Sequence, residues 1–168
     1  LQIGHRLSVD IDLFSDKNFV PEDVFRELYK TTLAELTGKD KNTLNLVIAG
    51  CKVDILRFNY PLLEKIIKED GIRMLHKKDI AAMKVSAITS RGSKKDFFDF
   101  SFLLQDYSLP EILSFYDMKF GKRDRFHVLK SMTYFEDADK EPELIMLRKI
   151  TWDEVKAQIA GVVKKYLG

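Results

Sequence analysis

"GHRLSVDIDLFS", residues Gly4–Ser15, is the stretch on which the reading of this chain turns. Leu7, Val9, Ile11 and Leu13 alternate with Ser8, Asp10, Asp12 and Phe14. A period of two is the signature of a strand, with the aliphatic side facing a core. Asp10 and Asp12 then share the other face, about 7 Å apart along the strand. Two like charges at that spacing repel, so the pair calls for a cation or a raised pKa. A D-x-D pair alone reads first as a solvated polar face. A third acid, Asp54, stands in the middle of "KVDILRF", where strand propensity disfavours it. If the two strands are neighbours, three carboxylates converge.

Working outward, "VPEDVFRELYKTTLAEL" predicts a helix opened by Pro21, with Glu22 and Asp23 in its first turn and Gly38 as its C-cap. "TLNLVIAGCKVDILRF" predicts two strands joined at Ala49-Gly50. "YPLLEKIIKEDGIRML" reads as a short helix or an extended segment turning at Asp70-Gly71. Beyond Lys78 the pattern is helical: Asp79–Ser90, Lys94 to about Gln105, Pro110–Phe120, Lys122–Thr133 and Trp152–Tyr166, with 135–148 mostly loop. Ser93-x-x-Asp96 is a capping-box pattern, and the aromatic run from Phe97 to Phe102 predicts a helix buried on nearly all sides. Strands first and helices second make an α+β protein, a small sheet at 1–76 and a helical half at 77–168 forming one unit.

The 168 residues carry a formal net charge of +2, which selects neither a polyanionic nor a polycationic partner. The one cysteine forms no internal disulfide, no apolar run is long enough to span a membrane, and no leader pattern is present, so a cytoplasmic protein without membrane association is expected. The chain opens on Leu1 rather than Met and runs almost directly into patterned sequence, so a preceding segment is expected.

His5, Arg6, Ser8, Asp10, Asp12 and Phe14 reproduce the pattern His-Arg-x-Ser-x-Asp-φ-Asp-φ-Phe, where φ is apolar. Asp79, Met83, Lys84, Ala87, Arg91, Lys95, Asp96 and Asp99 reproduce a second block, and "TYFEDAD" with the Trp152 helix a weaker third. In these blocks the chain resembles the AbiEii/AbiGii-type nucleotidyltransferases, toxins of abortive-infection and toxin–antitoxin systems in the DNA polymerase β-like nucleotidyltransferase superfamily. The resemblance implies a small mixed or antiparallel nucleotidyltransferase-fold sheet followed by a helical half. It implies transfer of NMP from an NTP to an acceptor, tRNA or another macromolecule such as a protein, with a cognate antitoxin as partner. Asp10, Asp12 and Asp54 would hold Mg²⁺, two ions in all. Lys84 and Arg91 would hold the nucleotide's phosphates, with Arg6 and Ser8 beside the site, and Asp96 would be a catalytic or structural acid. The family's Gly-Gly-Thr-Ala-Leu turn would stand ahead of Leu1 and is not in this chain. Two readings therefore stay open: an enzyme whose glycine turn lies upstream, or a degenerate member that binds nucleotide or a partner without turnover.

The bland readings are equally concrete. Lys84 and Arg91, seven apart, share a helix face that could be an exposed basic edge. Arg6 could neutralise an aspartate, His5 reads as polar surface, and Lys95 could pair with Asp99 along the helix. Lys119, Lys122, Arg123 and Arg125 cluster ahead of a helix, as either an RNA-binding edge or a solvated helix start.

Overall fold

The computed structural model describes residues 3–8 and 10–168. The expected strand position Val9 lies outside the described residues, as does the expected segment ahead of Leu1. The order of elements is β1 (Asp10–Ser15), α1 (Pro21–Tyr29), β2 (Ala34–Asp40), β3 (Thr43–Ile48), β4 (Cys51–Arg57), β5 (Ile67–Glu69), β6 (Ile72–Met74), α2 (Lys77–Ser90), α3 (Lys94–Leu103), α4 (Leu109–Phe120), α5 (Arg125–Met132), α6 (Glu136–Asp139) and α7 (Trp152–Leu167). Contacts divide the chain into two units. One is Ser8–Tyr60; the other joins 3–7 to Pro61–Gly168. The boundary expected at 76/77 falls inside the second unit.

The first unit is a four-stranded sheet in the order β1-β4-β3-β2, with β1 parallel to β4 and the other pairs antiparallel. Leu44, Leu46 and Val53 form its buried centre, and Phe19, Val24, Phe25, Leu28, Ile48 and Ile55 pack against them, which places α1 on that face. Ala49 (φ 50) and Gly50 (φ 77) turn β3 into β4, as the sequence indicates. Two consecutive left-handed residues give the hairpin turn whose twist matches the strands. Gly50→Ala is expected to lower stability by about 1 kcal/mol, because Ala there adopts a left-handed backbone; a denaturant titration checks it.

Two expectations fail in this unit. The helix predicted to run to Leu36 ends at Tyr29, and Ala34–Asp40 is instead an edge strand. Thr31 and Thr32 end the helix: both hydroxyls donate to the Leu28 carbonyl, a local bond that competes with the helical ladder. Gly38 is therefore no C-cap. It sits at a register shift in β2, where an added Cβ would stand 3.1 Å from Asn45 Oδ1. The buried aliphatic face expected of β1 is also missing, since Ile11 and Leu13 are 44% and 47% exposed. β1 is the sheet's edge, and the apolar residues of α1 gather over β3 and β4.

The second unit is helical, apart from the β5–β6 hairpin turning at Asp70-Gly71. Its centre is α3, buried at nine of ten positions as the aromatic run indicates. Phe97 and Phe98 meet Trp152 at ring-centroid distances of 5.9 and 5.6 Å, which ties α7 to α3. α2 packs against α3, α4 and α5. Three buried charges are satisfied locally. Lys119 Nζ donates to Asp79 Oδ1 and to the Pro61 carbonyl, while Asp79 accepts the N–H groups of Leu63 and Glu64, pinning 61–64 to α2 and α4. Lys94 Nζ donates to the Glu141 carbonyl and lies 3.0 Å from Glu143 Oε1. The segment 5–7 pairs with 145–147 through an Arg6–Met146 bridge. Among the described residues no helix is long and apolar enough to cross a membrane.

Candidate active site

The expected adjacency of the two acidic strands is present. Parallel pairing of β1 with β4 sets Asp12 opposite Asp54 and Asp10 opposite Lys52. Paired residues on neighbouring strands point to the same side, about 4.8 Å apart. All three carboxylates thus stand on one face of the first unit's sheet. Leu44, Leu46 and Val53 point to the other, helix-bearing face. A cleft of about 380 Å³ lined by Phe25, Tyr29, Leu36 and Leu44 opens on that helix-bearing face, away from the carboxylates.

Two further residues belong to the acidic face. Asn45, opposite Asp54 in β3, donates from Nδ2 to Asp54 Oδ1 at 2.7 Å. Lys52 Nζ lies 3.2 Å from Asp54 Oδ2. Sequence reading missed both, and no local signal marks them: an Asn and a Lys in alternating strands look like ordinary polar-face residues. Asp54 is the sheltered member of the set, its side chain 16% exposed, whereas Asp12 is open to solvent. Ser8 donates to the Asp10 carbonyl, so it shapes the entry to β1. Asn45→Ala is expected to cost about 1 kcal/mol of stability through the lost hydrogen bond, measurable in a denaturant melt.

The donor chemistry suits a hard divalent cation, which prefers carboxylate oxygens. Among the described residues, however, no group of three or more His, Cys, Asp or Glu side chains is gathered as a metal site requires. The backbone register brings the three acids side by side, while Asn45 and Lys52 occupy the two oxygens of Asp54.

The other expected site residues lie in the second unit and form a cluster of their own. Asp99, on α3, receives His5 Nε2 at 2.8 Å, Arg6 Nε at 2.7 Å, Arg6 Nη2 at 2.9 Å and Lys84 Nζ at 2.6 Å. Asp96, one turn earlier, receives Arg91 Nε at 2.8 Å, Arg91 Nη2 at 3.0 Å and Lys84 Nζ at 3.1 Å. Burial opposes the charge on Asp99, but the bonds from His5 and Arg6 and the charges of Lys84 and Arg6 outweigh it and hold the carboxyl far below its ordinary range. Asp96 moves the same way: burial works against ionisation, and the Arg91 bonds with the Lys84 charge overcome it.

This arrangement corrects three local readings and resolves a fourth. Ser93 makes no side-chain cap bond, so Asp96 completes no capping box. Asp99 takes its partners from α2 and the leading segment instead of from Lys95. His5 is 7% exposed and bonded to Asp99 instead of standing at the surface. Arg6 bonds Asp99 through Nε and Nη2, the structural salt bridge that was one of its open readings. Of the two roles open for Asp96, its complete burial and three donors favour the structural one.

Comparison with known proteins adds the family and the fold. No family model matches the chain. "Uncharacterized protein aq_aa25" of Aquifex aeolicus is 35% identical over 175 residues, covering 99% of this chain and 83% of the relative. This chain belongs to the aq_aa25 family. Among solved structures, JHP933 from Helicobacter pylori matches with a TM-score of 0.53 at 14% identity, over 95% of this chain and 75% of that one. A second Helicobacter pylori structure, described as a "putative nucleotidyltransferase", matches with a TM-score of 0.54 at 12% identity, over 95% and 78%. At such identities the likeness is one of fold. This aq_aa25 relative has the expected α+β class, a small sheet followed by helices, in a nucleotidyltransferase-like arrangement.

Proposed function

We propose that the chain is a divalent-cation-dependent nucleotidyltransferase, carrying NMP from an NTP to an acceptor hydroxyl with pyrophosphate as leaving group. The observation that supports this most is the register of Asp12 with Asp54, with Asp10 on the same face. Asp10, Asp12 and Asp54 would hold Mg²⁺, two ions in the full arrangement. Bound there, the metal supplies charge neutralisation for the triphosphate and activation of the acceptor oxygen. The protein's own contribution is orientation and charge. Asn45 fixes the plane of the Asp54 carboxylate through Oδ1, and Lys52 offsets one of three negative charges. In the second unit, Arg6, Lys84 and Arg91 gather around Asp96 and Asp99, and this cluster of cations supports the phosphate-holding role proposed for Lys84 and Arg91. Arg91, with its side chain 55% exposed, is the most accessible of the three. The finer role is a toxin with a cognate antitoxin, acting on tRNA or another macromolecular acceptor.

A second reading, nucleotide or partner binding without turnover, draws on the engagement of Asp54 by Lys52 and Asn45. Calorimetric titration with ATP, GTP, CTP and UTP, with Mg²⁺ and with EDTA, tests both when paired with a pyrophosphate-release assay. Mg²⁺-dependent binding with release supports transfer. Mg²⁺-dependent binding without release, across all four nucleotides and an RNA acceptor pool, supports the second reading. Binding indifferent to EDTA and without release overturns the transferase and leaves the second reading.

A further inference from the structure

The carboxylate face leaves the basic run at the start of α5 unused. Lys122, Arg123, His127 and Lys130 are exposed, and Phe126 among them is 75% exposed. Val128, Leu129 and Met132 take the core side of α5, so the helix had apolar residues enough to bury without presenting Phe126 to water. Phe126 and Lys130, four apart, stand one above the other on the outer face. The nearby acids are spent elsewhere. Asp124 caps α5, accepting the Phe126 N–H at 3.0 Å, and Asp117 is taken by Arg125. Among the described residues, Lys122, Arg123 and Lys130 enter no ion pair.

We propose that this outer face of α5 binds single-stranded nucleic acid, with the Phe126 ring as the stacking platform and Lys122, Arg123 and Lys130 meeting phosphates. An aromatic ring set among cations is the combination such ligands require: every base offers a π-face, and the backbone repeats a negative charge. The ligand is single-stranded because a paired base has no free face to stack. A protein partner would call for a contiguous apolar patch, whereas the exposed residues within four positions of Phe126 are Lys122, Arg123, Asp124, His127 and Lys130, all polar. Tyr134, farther along, lies beside Glu136 and Asp137 and falls outside the basic patch. The proposal stands apart from the carboxylate reading and needs no catalysis.

Fluorescence anisotropy with labelled RNA and DNA strands of about 12 nucleotides tests it on the full chain. Three phosphate contacts predict a log–log salt slope of about −2, a roughly 20-fold loss of affinity between about 50 and 200 mM salt. Phe126→Ala is expected to weaken binding about 5- to 100-fold with the slope unchanged, and Phe126→Trp to restore it. Lys122→Gln combined with Arg123→Gln is expected to flatten the slope by about 1.4. Because these side chains are exposed, the variants keep the wild-type melting curve. The proposal is overturned if no strand binds, if a duplex binds as tightly as a single strand, or if Phe126→Ala changes nothing. Self-association lost in Phe126→Ala, without nucleic-acid binding, would put a protein partner here and overturn it as well.

Discussion

Asp12→Asn is expected to lower nucleotidyl transfer at least about a thousandfold, equivalent to roughly 4 kcal/mol of transition-state stabilisation, while leaving the melting curve where it was. The two halves of this expectation have separate causes. Asp12 lies solvent-exposed on an edge strand, so its removal opens no cavity and breaks no buried bond. It is nonetheless the residue in direct register with Asp54 and two positions from Asp10, the centre of the acidic face. Asn keeps the shape and loses the charge that a hard cation needs. Asp16→Asn is the control, an exposed acid just beyond β1 that lies outside the register. The measurement is pyrophosphate release per enzyme with saturating NTP and Mg²⁺. An Asp12→Asn protein that keeps a tenth of wild-type activity would remove the carboxylate face from the mechanism.

What could be read from sequence, and what could not, follows from the range of the interactions. The β3–β4 turn was legible because Ala49-Gly50 interrupts two apolar runs, and the buried α3 because four phenylalanines leave it no polar side wide enough for water. The carboxylate trio was legible as residues, since an Asp in mid-strand is conspicuous. Its geometry was not, because the register that pairs Asp12 with Asp54 is set across 42 positions by strand pairing. Asn45 and Lys52 carry no mark at all until that register is known. The same limit hid the role of His5, whose partner Asp99 lies 94 residues away. β2 was misread for a local reason: Ala34, Glu35 and Leu36 are good helix formers, and only pairing with β3 makes them a strand.

Asp99→Asn is expected to destabilise the second unit by about 3–5 kcal/mol, the cost of leaving buried cations without their counter-charge. Four donors from three residues converge on this carboxylate, from the leading segment and from α2. Its side chain is 9% exposed, and those of Arg6 and Lys84 are 13% and 20%, so solvent screens little of the loss. Asn keeps one acceptor oxygen for His5 and Arg6 Nε but offers an amide N–H where the second carboxylate oxygen stood, facing Arg6 Nη2 and Lys84 Nζ. Asp106→Asn gives the scale: its pair with Lys77 is more than a third exposed, and such pairs contribute under about 1 kcal/mol. The pH dependence follows with a definite sign. Asp96 and Asp99 have folded pKa values held below the ordinary value, so the stability they contribute is fully present above about pH 4. It is lost as pH falls below that, because the unfolded chain then binds protons that the folded chain refuses. Denaturant midpoints taken from pH 6 down to pH 2 are expected to fall steeply below about pH 4 in the wild type and more gently in Asp99→Asn. Parallel pH profiles for the two proteins would mean that the low pKa of Asp99 contributes nothing to folding, and that the cluster holds α2 to α3 by packing alone.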